Sequence, residues 1–235
     1  GEIDAITGPL TGKPKSATFR TADVVGLDTL IKVAKGVYDN CPEDERRSTF
    51  QIPDFVLTME KNQWLGDKTG QGFYKKSKND QGKRVFLELD PKTLEYKETP
   101  KRSFDSIAQA KAAGGLRNKL RALSKGNDEA ARFNNTVNAM VFQYCANRIP
   151  EISDELYRID DGMRTGFGWK MGPFEMWDAI GVQEALDQIT SMGFEAPQWV
   201  HSMLSSGAFS FYKHQAGQRM YWDIPSASYK AVPGQ

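Results

Sequence analysis

The chain has 235 residues, of which 39% are hydrophobic and 26% charged, and its formal net charge at pH 7 is +1. This composition is ordinary for a globular protein, and the near-neutral charge gives no reason to expect nucleic acid as a partner. No apolar run approaches the roughly 20 residues of a membrane span, and the isolated Cys41 and Cys145 favour a reduced, cytoplasmic compartment.

The front of the chain alternates helical patterns with turn residues. Apolar residues at helical spacing predict a short helix that ends at Gly8 and a second, longer helix over 22–38. Pro53 suits the first turn of a third helix. Residues 1–4 are typical of a helix interior, so we expect further chain upstream.

A β-hairpin is predicted next, followed by a connection. Two strand-like runs, 73–75 and 84–89, flank a polar loop that contains Gly82, and a third short strand is predicted near 94–96. A helix from about 103 to 113 follows, and a shorter one then runs to about 125.

The back half is predicted to be strongly helical. Asn127 or Asp128 can cap a long helix whose apolar stripe reaches Tyr144, and Pro150 ends it. Further helix starts are predicted from capping and proline signals at Ser153, Gly172-Pro173 and Pro197, and a second hairpin is expected around 215–217.

The two halves of the chain repeat one another. Lys15, Phe19, Asp23 and Gly26 recur in the same order and with the same gaps as Lys170, Phe174, Asp178 and Gly181. Further matches pair Ile3-Asp4 with Ile159-Asp160, Phe73-Tyr74-Lys75 with Phe211-Tyr212-Lys213, and Arg84-Val85-Phe86 with Arg219-Met220-Tyr221. The sequence therefore predicts two related domains, 1–100 and 127–235, joined by a connection at 101–126.

The expected fold class is mainly α. Each domain should contain several helices followed by a small β-hairpin, and the first helix of the front domain is expected to be truncated. Because an apolar helix stripe must be covered by another layer, we expect the two domains to pack as a pseudo-two-fold pair.

The motifs of the back half resemble the C-terminal helical domain of the 3-hydroxyacyl-CoA dehydrogenases. That family's pattern has an acidic residue after an aliphatic one, a glycine-rich bend, Met-Gly-Pro-Phe and Asp-x-x-Gly. These features correspond here to Ile159-Asp160, 166–168, 171–174 and 178–181. In the front half, 14–19 stands at the place of Met-Gly-Pro-Phe, and 68–74 is similar to a motif near the end of the family's domain.

This resemblance implies NAD-dependent oxidation of 3-hydroxyacyl-CoA to 3-oxoacyl-CoA in fatty acid β-oxidation. Tandem copies of the domain are characteristic of the larger, multifunctional members, which carry a dinucleotide-binding domain upstream and often an enoyl-CoA hydratase domain. The implied partners are therefore the upstream domain, to which NAD binds, together with an acyl-CoA substrate. A hydratase domain is a further implied partner. As an isolated fragment the chain is expected to be inactive.

No catalytic, cofactor-binding or metal-binding residue is predicted within this chain. The family's catalytic His–Glu pair belongs to the upstream domain, and neither His201 nor His214 matches its motif. Gly166-Phe167-Gly168 comes nearest to a dinucleotide fingerprint, but it follows a helical pattern and is better interpreted as a helix stop. No cysteine and histidine set has the spacing of a metal site.

Lys15, Ser16 and Thr18 are the predicted substrate-binding residues. The resemblance implies that their loop faces the substrate cleft near the acyl group. The competing interpretation is a helix-start loop in which Ser16 or Thr18 serves as the cap. An asparagine in the family's first helix binds the thioester region, but this role is not transferred to Asn134, Asn135 or Asn138.

Two alternative functions remain open at this stage. The first is a non-catalytic helical module that serves assembly. The second is a helical dehydrogenase domain for a different hydroxy acid, which the tandem arrangement disfavours because that arrangement is tied to the acyl-CoA enzymes.

Overall fold

The computed structural model describes residues 1–234 and confirms a mainly α-helical fold with two small antiparallel sheets. The helices are α1 (Glu2–Ile6), α2 (Phe19–Val25), α3 (Leu27–Asn40), α4 (Asp54–Lys61), α5 (Asp105–Ala112), α6 (Leu116–Ser124), α7 (Glu129–Asn147), α8 (Leu156–Phe167), α9 (Pro173–Ile180), α10 (Val182–Ser191) and α11 (Gln198–Ser205). The strands are β1 (Tyr74–Lys78), β2 (Arg84–Leu89), β3 (Tyr96–Lys97), β4 (Tyr212–Gln215), β5 (Gln218–Asp223) and β6 (Ser228–Ala231). Among residues 1–234, no helix combines the length and the hydropathy that crossing a membrane requires.

The chain divides into two compact units. The first unit comprises 1–5 and 16–102, and the second comprises 6–15 together with the chain from 103 onward. The segment 6–15 belongs to the second unit because Ile6 and Leu10 are buried in a cluster with Leu123. The domain limits at 100 and 126, which describe the sequence repeat rather than contacts, stay a prediction.

The second unit is built around α9. Helices α6, α7, α8 and α10 all pack against it, and its side chains Phe174 and Trp177 are fully buried. Phe142 of α7 stacks on Trp177 with ring centroids 5.3 Å apart, and Phe211 meets Trp177 edge to face at 5.0 Å. Aromatic packing of this kind fixes the orientation of the surrounding helices.

The first unit has a smaller core. Helix α3 packs against α2 and α4, and the buried side chains are Leu27, Ile31, Val56, Met59 and Leu65. Phe55 and Phe73 pack against this cluster while staying partly exposed.

The prediction of one helix over 22–38 is wrong, because Gly26 breaks it into α2 and α3. Gly26 has φ +99°, which is unfavourable for residues with a side chain, and its N–H donates to the carbonyl of Ala22 to end α2. The next N–H, that of Leu27, donates to the carbonyl of Leu65 at 3.1 Å. Gly181, with φ +122°, makes the same break between α9 and α10.

Both predicted hairpins are confirmed, and a third strand extends each of them. The expected strand near 94–96 is β3, whereas β6 was not predicted. The N–H of Leu89 donates to the carbonyl of Phe73, and the N–H of Trp222 donates to that of Phe211. Leu89 therefore corresponds to Trp222.

The sequence match of 84–86 with 219–221 is consequently wrong in register. In the sheets Lys76 pairs with Phe86, and His214 pairs with Arg219, so Phe86 rather than Arg84 corresponds to Arg219. The first hairpin is longer, and its extra pairs at the tip conceal the true alignment.

Helix starts in the back half follow the predictions with one exception. Asp128 caps α7 by accepting the N–H of Ala131 at 2.9 Å, and Pro173 begins α9 as predicted. Ser153 is not the cap of α8, because that helix begins later and the Ser153 hydroxyl bonds the backbone of Glu155 instead.

Replacing Gly26 tests the break between α2 and α3. We expect Gly26→Ala to destabilise the first unit by about 1–3 kcal/mol, because alanine is strained at this φ. Gly36→Ala, in the interior of α3 with open space at its Cβ position, should instead stabilise by about 0.5–1 kcal/mol. Guanidinium unfolding followed by circular dichroism measures both, and equal effects of the two variants would refute a specific role for Gly26.

Candidate functional site

A buried carboxylate of one helix caps the next helix in the second unit. Asp160 of α8 is fully buried and accepts the N–H groups of Phe174 at 2.9 Å and Glu175 at 3.0 Å, at the start of α9. The first N–H groups of a helix lack partners within it, and they carry the positive end of the helix dipole. Asp160 therefore satisfies two of them from another helix.

The residues around Asp160 belong to the repeated motifs. The Tyr212 hydroxyl donates to Asp160 Oδ2 at 2.7 Å, and the Glu175 carboxylate accepts the Gly172 N–H at 2.7 Å. A Cβ on Gly172 would lie 2.4 Å from Asp160, so only glycine admits this approach. The motif Met-Gly-Pro-Phe thus provides a backbone N–H and the space that the Asp160 carboxylate needs.

A second carboxylate ties α9 to the sheet. Asp178 accepts the N–H groups of Phe211 at 2.7 Å and Tyr212 at 2.9 Å, at the start of β4. Burial raises the pKa of Asp160 and of Asp178 to about 7, whereas the hydrogen bonds to each carboxylate act in the opposite direction.

The first unit contains the same helix cap. Asp4 accepts the N–H groups of Thr18 at 3.0 Å, Phe19 at 2.7 Å and Arg20 at 2.9 Å, at the start of α2. The Tyr74 hydroxyl donates to Asp4 at 2.8 Å, as that of Tyr212 does to its aspartate in the second unit.

The sheet tie is also repeated. Asp23, which is buried, accepts the N–H groups of Phe73 at 2.7 Å and Tyr74 at 2.9 Å. Gly66 approaches the backbone of Asp23 so closely that a Cβ would lie 2.2 Å from the Asp23 carbonyl oxygen. We call the two carboxylates of each unit, with the amides that they bind, the carboxylate network.

One position beside the network carries opposite charges in the two units and binds different partners. Arg20 stands where the second unit has Glu175, and its guanidinium donates to both carboxylate oxygens of Asp67 at 2.7 and 2.6 Å. In the second unit Glu175 accepts from Arg164 at 2.8 Å and from Arg219 at 2.6 Å.

The predicted substrate-binding residues lie on the loop before α2. Lys15 is exposed and belongs to the second unit, whereas Ser16 and Thr18 belong to the first. The Ser16 hydroxyl accepts a hydrogen bond from the Thr21 hydroxyl at 2.8 Å. Their contact with a substrate stays a prediction.

The competing interpretation, in which Ser16 or Thr18 caps α2, is wrong. Thr18 occupies the cap position, but its side chain makes no cap hydrogen bond, and Asp4 binds the free N–H groups instead. The repeated acidic residue at Asp4 and Asp160 was the sequence signal for this arrangement.

Two residues with shifted pKa values lie outside the motifs, and no sequence pattern identified them. Burial lowers the pKa of Lys13 to about 8, and its ammonium lies 4.6 Å from the ring centroid of Trp169. Burial raises the pKa of the Cys145 thiol to about 12, which makes it a poor nucleophile. Only burial distinguishes these residues, and burial is not visible in a local pattern.

The two histidines and the glycine pair at 166–168 do not form a catalytic or binding cluster within residues 1–234. His201 and His214 are both exposed, and residues 1–234 include no group of three or more His, Cys, Asp or Glu placed to hold a metal. Gly168, with φ +66°, ends α8, so 166–168 is a helix terminus and does not fit a dinucleotide cradle.

The three asparagines of α7 have structural surroundings. The Asn135 amide donates to the carbonyl of Ser124 at 2.8 Å, and Asn134 and Asn138 are buried. The amide nitrogen of Asn138 has no hydrogen-bond partner among the described residues.

An apolar cavity of about 250 Å³ lies within the first unit. Three aromatic rings, Phe19, Phe55 and Phe73, line it together with Leu89, and Glu88 contributes a carboxylate. The cavity could hold an apolar group such as a side chain from a packed helix.

The comparisons with known proteins agree with the motif resemblance. A family model described as the C-terminal domain of 3-hydroxyacyl-CoA dehydrogenase matches residues 1–76 and 134–221. Each matched segment contains one pair of network aspartates, Asp4 with Asp23 and Asp160 with Asp178.

Several curated proteins are similar in sequence. A probable 3-hydroxyacyl-CoA dehydrogenase of Bacillus subtilis (strain 168) is 44% identical over 99% of the chain and 28% of its own length. A probable 3-hydroxyacyl-CoA dehydrogenase of Deinococcus radiodurans is 42% identical over 36% of the chain and 24% of its own length. A putative fatty acid oxidation complex trifunctional enzyme of Rickettsia felis is 24% identical over 74% of the chain and 23% of its own length. The chain thus spans between 23% and 28% of the length of these relatives.

Removing one hydroxyl tests the carboxylate network. We expect Tyr212→Phe to destabilise the second unit by about 1–3 kcal/mol, because the buried Asp160 loses a donor. Tyr74→Phe, its counterpart beside the less buried Asp4, should cost less. Guanidinium unfolding of both variants measures the difference in the free energy of unfolding. Tryptophan fluorescence reports mainly on the second unit, because Trp64 is the only tryptophan in the first unit. If Tyr212→Phe lowers the free energy of unfolding by no more than Tyr74→Phe does, burial of the aspartate does not determine how much the network stabilises its unit.

Proposed function

Because the chain belongs to the family of the 3-hydroxyacyl-CoA dehydrogenase C-terminal domain, we propose that it forms the substrate-side helical region of such an enzyme. The proposed reaction is the NAD-dependent oxidation of 3-hydroxyacyl-CoA to 3-oxoacyl-CoA in fatty acid β-oxidation. The observation that carries this proposal is 44% identity, across nearly the whole chain, to the probable 3-hydroxyacyl-CoA dehydrogenase of Bacillus subtilis.

The redox chemistry is assigned to another part of a longer protein. The chain spans 28% of its Bacillus relative, and its own glycine pair at 166–168 ends a helix. We therefore assign NAD binding, with the catalytic His–Glu pair, to a dinucleotide-binding domain outside this chain. The trifunctional name of the Rickettsia relative supports a parent with further domains. We propose that one of these is the enoyl-CoA hydratase domain that the motif resemblance implies.

The role proposed for the chain itself is to position the acyl-CoA substrate. Asp4 binds the N–H groups of Thr18, Phe19 and Arg20, which fixes the backbone where the loop 15–18 joins α2. Lys15 and Thr18 are exposed on it, and they offer an ammonium and a hydroxyl to an anionic, carbonyl-bearing ligand. A rigid backbone beneath exposed polar groups is the arrangement that a positioning loop needs.

A non-catalytic assembly module is the alternative function. The network aspartates bind backbone amides of their own unit, which is a structural role that such a module would also need. Rate measurements on the longer protein distinguish the two functions, since a pure assembly module supports no dehydrogenase turnover.

Titration with NAD tests where the cofactor binds. We expect the 235-residue chain to show no saturable heat in calorimetry with NAD, because the dinucleotide site is assigned to another domain. The longer protein, titrated in parallel, should bind NAD. Micromolar binding to the chain alone would show that the site has been assigned to the wrong part of the enzyme.

Substitutions in the loop test the substrate role. In the longer protein, Lys15→Ala and Thr18→Ala should raise the KM for acetoacetyl-CoA by about 5–10-fold, with kcat and the KM for NADH nearly unchanged, because uniform binding energy is lost. Lys35→Ala, at an exposed lysine on α3, is the matched control.

The possible results of this assay are distinct. Equal KM values for the Lys15 and Lys35 variants would remove the loop from the substrate site. Absence of acetoacetyl-CoA reduction by the unmodified longer protein would refute the dehydrogenase assignment and favour the assembly module.

A further inference from the structure

One face of the first hairpin is basic and exposed. Because side chains alternate across a strand, Lys76 and Lys78 of β1 lie on the same face. The register places Phe86 opposite Lys76 and Arg84 opposite Lys78, so β2 contributes an aromatic ring and a guanidinium to this face. All four residues are exposed, and the Phe86 side chain is 61% exposed. We call these four residues the basic face.

The basic face contains a like-charge pair. Lys78 and Arg84 lie directly opposite each other in the antiparallel ladder, and two cations in that position repel each other. Within residues 1–234 neither of these side chains forms an ion pair, although the exposed Asp80 lies in the adjacent turn. The pair therefore contributes nothing to the stability of the hairpin, whereas a bound anion would be attracted by both charges.

The second unit satisfies the corresponding face from within. Arg219 occupies the position of Phe86. Its guanidinium lies 4.3 Å from the ring centroid of Tyr212 and donates to Glu175 at 2.6 Å. The second hairpin also turns one pair earlier, so the like-charge pair has no counterpart there. The repeat thus shows a cation that is neutralised inside one unit and a set of cations that is exposed in the other.

The basic face is continuous with the loop 15–18. A small recess lies at its inner end, and the residues that line this recess include Arg20, Tyr74, Lys76 and Phe86. Asp4 joins the recess to the loop, because it accepts the N–H groups of Thr18 and Arg20 and the hydroxyl of Tyr74. From Tyr74 to Lys78 the strand extends about 13 Å. A ligand held at the loop can therefore reach the whole face only if it has a long arm.

An acyl-CoA has such an arm. Its pantetheine chain separates the thioester from an adenosine nucleotide that carries a diphosphate and a 3′-phosphate. Lysine and arginine side chains bind phosphate groups, and an aromatic ring stacks on a nucleotide base.

We propose that the basic face binds the nucleotide end of the acyl-CoA substrate, with the phosphates at Lys76, Lys78 and Arg84 and the adenine on Phe86. This inference rests on the proposed function, because that function supplies the acyl-CoA. It adds to that function a subsite on the hairpin, outside the loop that positions the thioester.

Binding of adenosine 3′,5′-bisphosphate, which carries the adenine and 3′-phosphate of CoA, tests the subsite. We expect saturable binding to the 235-residue chain in calorimetry, and weaker binding as the salt concentration rises. The double variant Lys78→Ala/Arg84→Ala should weaken binding at least about tenfold, and Phe86→Ala at least about fivefold. Lys32→Ala/Lys35→Ala, at two exposed lysines of α3, is the matched control and should bind normally. NAD, which lacks the 3′-phosphate and carries a cationic ring, should not bind.

A truncated substrate tests whether the subsite serves the reaction. In the longer protein, Lys78→Ala/Arg84→Ala should raise the KM for acetoacetyl-CoA by about tenfold, because binding energy from the nucleotide is lost. The KM for acetoacetyl-pantetheine, which has no nucleotide, should be unchanged by this variant, and so should the KM for NADH.

The contrary results separate this proposal from the proposed function. Absence of saturable nucleotide binding, equal weakening by the α3 control, or equal rises in KM for acetoacetyl-CoA and acetoacetyl-pantetheine would each overturn the subsite. Phosphatidylglycerol vesicles that bind through the basic face, when the nucleotide does not, would also overturn it. Nucleotide binding as expected, in a longer protein that does not reduce acetoacetyl-CoA, would support the subsite and refute the dehydrogenase assignment.

Discussion

Each unit of this protein depends on aspartates that bind backbone amides far away in the sequence. Asp160 joins α8 to the start of α9, and Asp178 joins α9 to β4. A buried carboxylate without donors would cost several kcal/mol, and so would a buried helix start without acceptors. Because each group satisfies the other, the pair specifies one relative position of these elements.

This requirement explains which motif residues the repeat retains. The aspartates bind backbone N–H groups, and the glycines at the breaks after α2 and α9 take backbone angles that disfavour other residues. The tyrosine hydroxyl supplies a further donor to Asp4 or Asp160. The ion pairs beside the network differ between the units, since Arg20 pairs with Asp67 whereas Glu175 pairs with Arg219. The Arg20–Asp67 pair is solvent-accessible and contributes little to stability, whereas the side chains of the Glu175–Arg219 pair are largely buried.

The two units nevertheless differ in completeness. The second has a continuous aromatic core covered by α6 and α7, whereas the first has an exposed apolar stripe and a cavity. In the first unit Asp4 binds the Thr18 N–H at the end of the loop that carries Ser16. Because the chain belongs to the dehydrogenase family, we propose a substrate-positioning role for this loop and assign the redox step to another part of a longer protein.

The sequence by itself determined the mainly α class, the internal repeat, the family, both hairpins and most helix limits. These features depend on local signals: helical periodicity, capping residues such as Asp128, and turn residues between strands. The tertiary structure alone decided that Asp4, rather than Ser16 or Thr18, caps α2, that the segment 6–15 joins the second unit, and that the hairpin register differs from the sequence match. Each of these depends on groups distant in the sequence, and a local pattern shows which groups need a partner but not which partner the folded chain brings to them.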